Sequence, residues 1–225
     1  MNILAIDCSA SLCAACVYDA DAGRELGRKV LDLGKGHAEH LMAVIDEALN
    51  AGGVSFADFG RIAVSIGPGS FTGVRVGVSA VRGLALALNI PAVGVTTLEA
   101  LAAETRDKLG PRNVLAALDG GRGEIQAAAY DEAGAVLFAP AIIDLNRATE
   151  LAAQFSPALA GTAAQMIASA MPSHEFSLGP LVTTADIAVY ARLAAAKEPG
   201  EKPKPLYLRE PDAKPQAGFI LPRSS

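Results

Sequence analysis

The sequence predicts an α/β protein built as two similar lobes, each opening with a three-stranded meander. Three observations carry that expectation: a pattern that recurs at half the chain length, strand-length apolar runs alternating with runs of helical period, and enough large apolar side chains for more than one core. The pattern is Leu4-Ala5-Ile6-Asp7, six residues, then Ala14-Ala15-Cys16-Val17-Tyr18-Asp19. It returns as Ala116-Ala117-Leu118-Asp119, six residues, then Gln126-Ala127-Ala128-Ala129-Tyr130-Asp131. Asp7, Tyr18 and Asp19 thus match Asp119, Tyr130 and Asp131 at a constant offset of 112 residues, and Val30-Leu31 falls opposite Ile142-Ile143. Of the 225 residues 51% are hydrophobic; although 45 are alanines, the remainder suffices for one or two cores and excludes disorder as the overall state.

Each copy reads as a β-hairpin with an aspartate at its mouth, because two apolar runs flank a short polar or glycine-containing turn. A third β-like run follows in each, over Glu25–Leu33 and Val136–Leu145. Leu41, Val44, Ile45, Ala48 and Leu49 then recur at helical spacing, and Gly52-Gly53 ends that helix. A buried strand over Arg61–Ile66 leads through a glycine-rich turn into a helix over Thr72–Leu88, which Asn89-Ile90-Pro91 breaks. Ala92–Val95 reads as a short strand, and Thr96 or Thr97 can cap a further helix reaching Lys108, with Glu99 near its start. The second half repeats three strands before alternating alanine-rich helices with short apolar runs. The expected division is a lobe over 1–108, a second over 109–197 and an extended tail over 198–225, where 6 of the 13 prolines lie from Lys197 onward.

The 24 acidic and 19 basic residues give a net charge of −5, which argues against a self-sufficient nucleic-acid binder. No run of about eighteen unbroken apolar residues suggests a membrane span, and Asp7 follows the start too soon for a secretory signal. Cys8, Cys13 and Cys16, an odd cluster within nine residues, do not make a disulfide framework. A cytoplasmic protein is expected.

Four candidate sites emerge. In a two-lobed protein the hairpin mouths face a cleft, so Asp7 with Ser9, and Asp119 with Arg122, would lie near bound phosphates and their magnesium; an aspartate at a strand end also simply caps a turn. Gly67-Pro68-Gly69-Ser70-Phe71-Thr72-Gly73 stands between strand and helix, where phosphates bind. Yet Val74-Arg75 replaces the Lys-Ser/Thr of a phosphate loop, and Thr72 replaces the last glycine of a dinucleotide fingerprint. A tight turn with Ser70 or Thr72 as the cap is the favoured reading. Cys13-x-x-Cys16 with His37-x-x-His40 has zinc-ligand residues, but strand positions three apart point to opposite faces. The helix over Thr72–Leu88 carries small or apolar residues around most of its circumference, so more than one face should be covered, by the core or by a second subunit.

Ile3-Leu4-Ala5-Ile6-Asp7-Cys8-Ser9, the run Gly67–Gly77, Gly94–Leu101 and Pro205-Leu206-Tyr207-Leu208-Arg209 together resemble the bacterial TsaB family, the smaller actin-like subunit of the tRNA threonylcarbamoyladenosine machinery. The resemblance implies an actin/hexokinase/Hsp70-like fold. It also implies a role in placing a threonylcarbamoyl group on the adenosine beside the anticodon of tRNAs that read codons beginning with A. The catalytic subunit in that system is a paralogue, TsaD; a separate ATPase, TsaE, docks on the pair, and tRNA is met through the complex. The paralogue's His-x-x-x-His metal pair matches Thr97 and Leu101 here, neither of which replaces imidazole. The resemblance therefore implies a non-catalytic scaffold with no cofactor of its own, ATP and metal being used by the partner subunits. Its partner surface is expected on the helices 37–50 and 72–88, with His37, Leu41, Val44, Gly73, Val74, Gly77, Val78 and Val81, and the same surface would form a homodimer when the chain is alone. At the second hairpin the chain keeps Asp119, Arg122 and Glu124 of the family pattern, but has Gly120, Gly121 and Gln126 where Ala, Arg and Tyr are usual. The rivals are a small kinase or ATPase using Asp7 and Asp119, and a peptidase, against which the missing histidine pair and nucleophile–base set both count.

Overall fold

The computed structural model describes residues 1–209. Strands β1 (Asn2–Asp7), β2 (Leu12–Asp19) and β3 (Arg24–Asp32) form the first meander, followed by helix α1 (His37–Gly52). Strand β4 (Phe59–Ser65), helix α2 (Phe71–Leu88), strand β5 (Ala92–Val95) and helix α3 (Thr97–Leu109) complete the first half. The second half runs β6 (Val114–Gly121), β7 (Glu124–Tyr130), β8 (Val136–Ile143), α4 (Leu145–Phe155), β9 (Ala158–Ala160), α5 (Ala164–Ala170) and α6 (Ile187–Ala196). One sheet has the order β3-β2-β1-β4-β5 and the other β8-β7-β6-β9. In both, the first strand pairs antiparallel with the second and parallel with the fourth.

The period-2 alternation of the strands sorts side chains into three cores. Leu4, Ile6 and Cys8 face the outer core beneath α1 and α2, whereas Ile3 and Ala5 face inward. Leu115 and Ala117 face a second outer core with Leu151 and Ile167 of α4 and α5. Val114, Ala116 and Leu118 share the central core with Ile3, Leu98, Leu101 and Tyr190. The layers therefore run α1/α2, sheet, α6/α3, sheet, α4/α5. The division at residue 108 separates the two sheets, but the helices cross it. Helix α3, encoded in the first half, packs on β6, β7 and β9, while α6 packs on β1, β2, β4 and β5 of the first sheet.

Element ends follow from local chemistry. Helix α2 starts at Phe71 rather than Thr72, because the Ser70 hydroxyl accepts the Gly73 N–H at 3.2 Å. Thr96 caps α3 by accepting the Glu99 N–H at 3.0 Å, and Asp144 ends the third strand early by capping α4. By length and composition α2 would suffice to cross a membrane. Its Val74, Val78 and Val81 nevertheless close onto the first sheet, as a sheet-packing helix does. The expectation that α2 is covered on more than one face does not hold within the chain: Ser79, Arg82, Gly83, Leu86 and Ala87 are exposed. The tail to Arg209 is non-helical, with the Leu206 N–H bonded to the Ile66 carbonyl at 2.8 Å; the rest of 198–225 lies outside the described residues.

Candidate functional site

The two hairpin mouths differ by one residue, and that residue decides what each aspartate does. Tyr18 pairs with Ile3, and Tyr130 pairs with Val114. The two tyrosines are 112 positions apart, so Val114, not Leu115, takes the place of Ile3. The 112 offset holds for the second strand and for the end of the third, where Ile125 pairs with Ile143 as Cys13 pairs with Leu31, whereas the first strand matches at 111, which sets Asp7 opposite Leu118 and Cys8 opposite Asp119. A bulge between Asp119 and Gly121 absorbs the extra residue. Because strand side chains alternate, the slip turns the two carboxylates to opposite faces.

Asp7 is 1% exposed and points into the central layer. It accepts the Thr184 hydroxyl at 2.6 Å and the Ser9 N–H at 2.8 Å, and Thr184 also meets the Tyr190 hydroxyl at 2.7 Å. Burial and the neighbouring Asp7 charge raise the Tyr190 phenol well above its ordinary value, so the tyrosine stays protonated. This set ties the first hairpin to α6. Asp119 is exposed, and one oxygen accepts the Gly121 N–H at 2.8 Å. Its own N–H donates to Thr162 at 2.9 Å. The expected convergence of Asp7 and Asp119 on one ligand is thus absent, as Asp7 does not line the cleft. Arg122 is exposed in the turn, where φ of 57° at Arg122 and 78° at Gly123 make the tight hairpin reversal.

The glycine-rich run serves close packing. A Cβ at Gly69 would lie 2.1 Å from the Ser9 carbonyl oxygen, and one at Gly73 only 1.9 Å from that of Cys8. The Ser70 N–H bonds the Ser9 carbonyl at 2.6 Å. The second lobe repeats the device in shorter form, where a Cβ at Gly161 would lie 2.2 Å from the Ala117 oxygen. Both loops press on the end of their lobe's first strand.

Between these loops lies a cavity of about 860 Å³, walled by Ser9, Ser11 and Gly69 on one side, by Asp119, Gln126 and Thr162 on the other, and by the tail from Pro205 to Arg209. The tail crosses its mouth. Arg75 lies 3.5 Å over the Phe71 ring and donates to the Tyr207 hydroxyl at 2.7 Å, while Arg209 pairs with Glu124 on the second lobe. Sequence reasoning missed this role of Tyr207 and Arg209; their place in the Pro205–Arg209 run was the available signal.

The zinc reading fails as expected from strand alternation. Cys13 faces the outer core and Cys16 the central one. Among the described residues no three His, Cys, Asp or Glu side chains are grouped to hold a metal. Cys8 lies with its sulfur 3.9 Å from that of Cys13, and this contact together with burial holds its thiol above its ordinary value. The expected interface residues also need correction. His37, Leu41, Val44, Gly73, Val74, Gly77, Val78 and Val81 are all buried within the first lobe, because they form the inward stripes of α1 and α2. The outward stripes are Met42 with its exposed neighbours, and Ser79, Gly83 and Leu86; a Cβ at Gly83 would meet nothing within 4 Å.

A family model described as TsaD, tRNA N6-adenosine threonylcarbamoyltransferase, matches residues 32–214. The Escherichia coli tRNA threonylcarbamoyladenosine biosynthesis protein TsaB is 36% identical over 139 residues, covering 60% of this chain and 58% of that protein, less than two thirds of its length. A Mycobacterium tuberculosis protein named only as uncharacterized is 32% identical over 219 residues, 96% of this chain and 95% of its own. The crystal structure of a Pseudomonas aeruginosa protein with similarity to peptidase YeaZ superimposes with a TM-score of 0.76 at 26% identity, over 92% of this chain and 99% of that one. An Arthrobacter polyphosphate/ATP-glucomannokinase, at a TM-score of 0.50 and 15% identity, shares the fold alone, which makes the architecture actin- and hexokinase-like. The chain belongs to the TsaD family, and within it to the TsaB-type members.

Proposed function

We propose that this chain acts in threonylcarbamoyladenosine modification of tRNA as a non-catalytic subunit that binds and shapes a TsaD-type catalytic partner. The observation that carries this is the outward stripe of α2: Leu86 is 76% exposed, beside the open surface at Gly83 and the small residues Ser79 and Ala87. Exposed large apolar groups next to small ones allow another helix to approach closely, and such a surface marks an interaction site. With the partner missing, the same stripe would pair two copies of this chain. Thr97 and Leu101, where the resemblance sets the catalytic paralogue's metal histidines, are fully buried, and Thr97 faces Ser65 at 3.3 Å. Neither side chain offers a metal a strong ligand, and neither reaches the cleft. A TsaE-type ATPase and tRNA belong to the assembled complex, working in the cytoplasm.

The test is to assay threonylcarbamoyl transfer to unmodified tRNA with all other components supplied, with and without the TsaD-type paralogue of the same organism. Transfer is expected only with both chains. Leu86→Asp or Gly83→Arg should abolish co-purification with the paralogue while shifting the unfolding free energy by no more than about 0.5 kcal/mol. Transfer by this chain alone would overturn the non-catalytic reading, and retained co-purification of both variants would overturn the surface.

A further inference from the structure

Two of the three cysteines face one another across the first hairpin. Cys8 and Cys13 both point into the outer core, and their sulfurs lie 3.9 Å apart. They occupy the rung just beyond Asp7–Ala14, the last pair of the β1–β2 ladder. The equivalent rung of the second lobe, Asp119–Ile125, is a paired one. Residues opposite each other in an antiparallel pair have Cα atoms about 4.5–5.5 Å apart, within the range of about 4.4–6.8 Å that a disulfide spans. The sulfurs need to close by only about 2 Å, a distance within side-chain rotation. Cys16 is excluded, since it faces the central core and stands opposite Ala5 and Arg28. The two sulfurs also differ in acidity. The contact with Cys8 holds the Cys13 thiol below its ordinary value, against burial and the Asp7 charge, while Cys8 keeps its proton. Cys13 is thus the nucleophile of the pair and Cys8 the second thiol. Both are buried, but the turn between them carries the exposed Ser11. Opening that short turn is enough to admit a small uncharged oxidant.

We propose that Cys8 and Cys13 form a reversible redox pair, which hydrogen peroxide oxidises to an intrachain disulfide across the mouth of the first hairpin. The Cys13 sulfur attacks one peroxide oxygen, the O–O bond breaks, and the thiol proton leaves with the departing hydroxyl as water. The Cys8 sulfur then attacks the sulfenic acid so formed. The S–S bond forms, the S–O bond breaks, and the Cys8 proton leaves with the hydroxyl as a second water. Both thiols are thereby oxidised and the peroxide is reduced to water, and a dithiol reductant reverses the step. In a reducing compartment such a bridge is transient rather than structural, which agrees with a chain that leaves Cys16 over. The bridge would staple the hairpin mouth on which α2 rests, where a Cβ at Gly77 would lie 3.7 Å from that of Cys8.

The full chain should be reduced, exposed to hydrogen peroxide without denaturant, then unfolded, alkylated without reductant and digested with trypsin. All three cysteines then lie in the peptide of residues 1–24. That peptide is expected to carry an alkyl group on Cys16 alone and to have lost about 2 Da as hydrogen from the other two. Dithiothreitol before alkylation should restore alkylation of Cys8 and Cys13. Cys8→Ala and Cys13→Ala should each abolish the bridge, and Cys16→Ala should keep it. The urea-unfolded chain is the control, because there the shorter Cys13–Cys16 loop competes and Cys16 should join the bridged population. Oxidation of the native chain should also raise its melting temperature by about 2–5 °C. Full alkylation of all three cysteines after peroxide would overturn the proposal, as would sulfinic or sulfonic acid on Cys13 in place of the bridge. A bridge to Cys16 in the native chain, or a melting temperature lowered by oxidation, would do the same.

Discussion

The first hairpin closes on Asp7 and the second on Asp119, and the same short motif has been turned to two uses. In the first lobe the carboxylate is sealed inside, holding Thr184 and the Ser9 amide so that α6 is locked beneath the sheet. In the second lobe the corresponding strand position is Leu118, which packs in the central core, and Asp119 is displaced by a bulge to the cavity wall. Nothing about aspartate chemistry differs between the lobes. A single inserted residue exchanges a structural acid for an open one, because strand side chains alternate with a period of two. Duplicated folds can therefore keep a motif in sequence while losing its equivalence in space.

The lobes agree where backbones must touch, and this gives the most damaging test. Gly73→Ala and Gly161→Ala each set a Cβ against a carbonyl oxygen, and each should cost at least about 3 kcal/mol in urea unfolding. Equal losses would establish that both loops brace their first strand; a loss confined to Gly73 would leave the second lobe without that support. The aspartates should then separate. Asp7→Ala leaves the Ser9 amide and the Thr184 hydroxyl short of a partner and should cost about 2 kcal/mol, whereas Asp119→Ala should change stability by less than about 1 kcal/mol. Similar values for the two would break the contrast between them.

The smallest effect concerns the α6 tether from its other end. Arg28 of β3 donates to Asp186, the α6 cap, at 2.8 Å. Partial burial alone would push the Asp186 carboxyl up, but Arg28 and the Ala188 amide outweigh it and hold the group below its ordinary value. A depressed carboxyl contributes stability above its unfolded value of about 3.9, and that contribution is lost as pH falls through the folded value. Melting temperatures followed from about pH 6 down to about pH 2 should therefore fall less steeply for Asp186→Asn than for the parent. An unchanged slope would remove Asp186 from the tether.

Much of this was legible in the residues. Helical spacing located Leu41, Val44, Ile45, Ala48 and Leu49 on the buried stripe of α1, and Gly53 ends it in a left-handed conformation at φ 64°. Ala92–Val95 is a strand with the bounds its composition suggested, and alternation alone ruled that Cys13 and Cys16 cannot share a ligand. The interface residues were misjudged for a definable reason. Gly73, Gly77 and Val78 are small or apolar whether they face a sheet or a partner, so composition cannot tell the inward stripe from the outward one. Leu86 and Gly83, equally apolar or small in sequence, are the ones left uncovered.

By itself the sequence determined the elements, their duplication and the turn chemistry, because periodicity, caps and glycines act over a few neighbouring residues. Only the tertiary structure decided which lobe each crossing helix joins, which aspartate is sealed, and that Tyr207 and Arg209 close the cavity between Phe71 and Glu124. Those outcomes depend on strand register and on contacts between residues far apart in the chain. A one-residue bulge, nearly silent in a local pattern, reverses the face of every side chain beyond it.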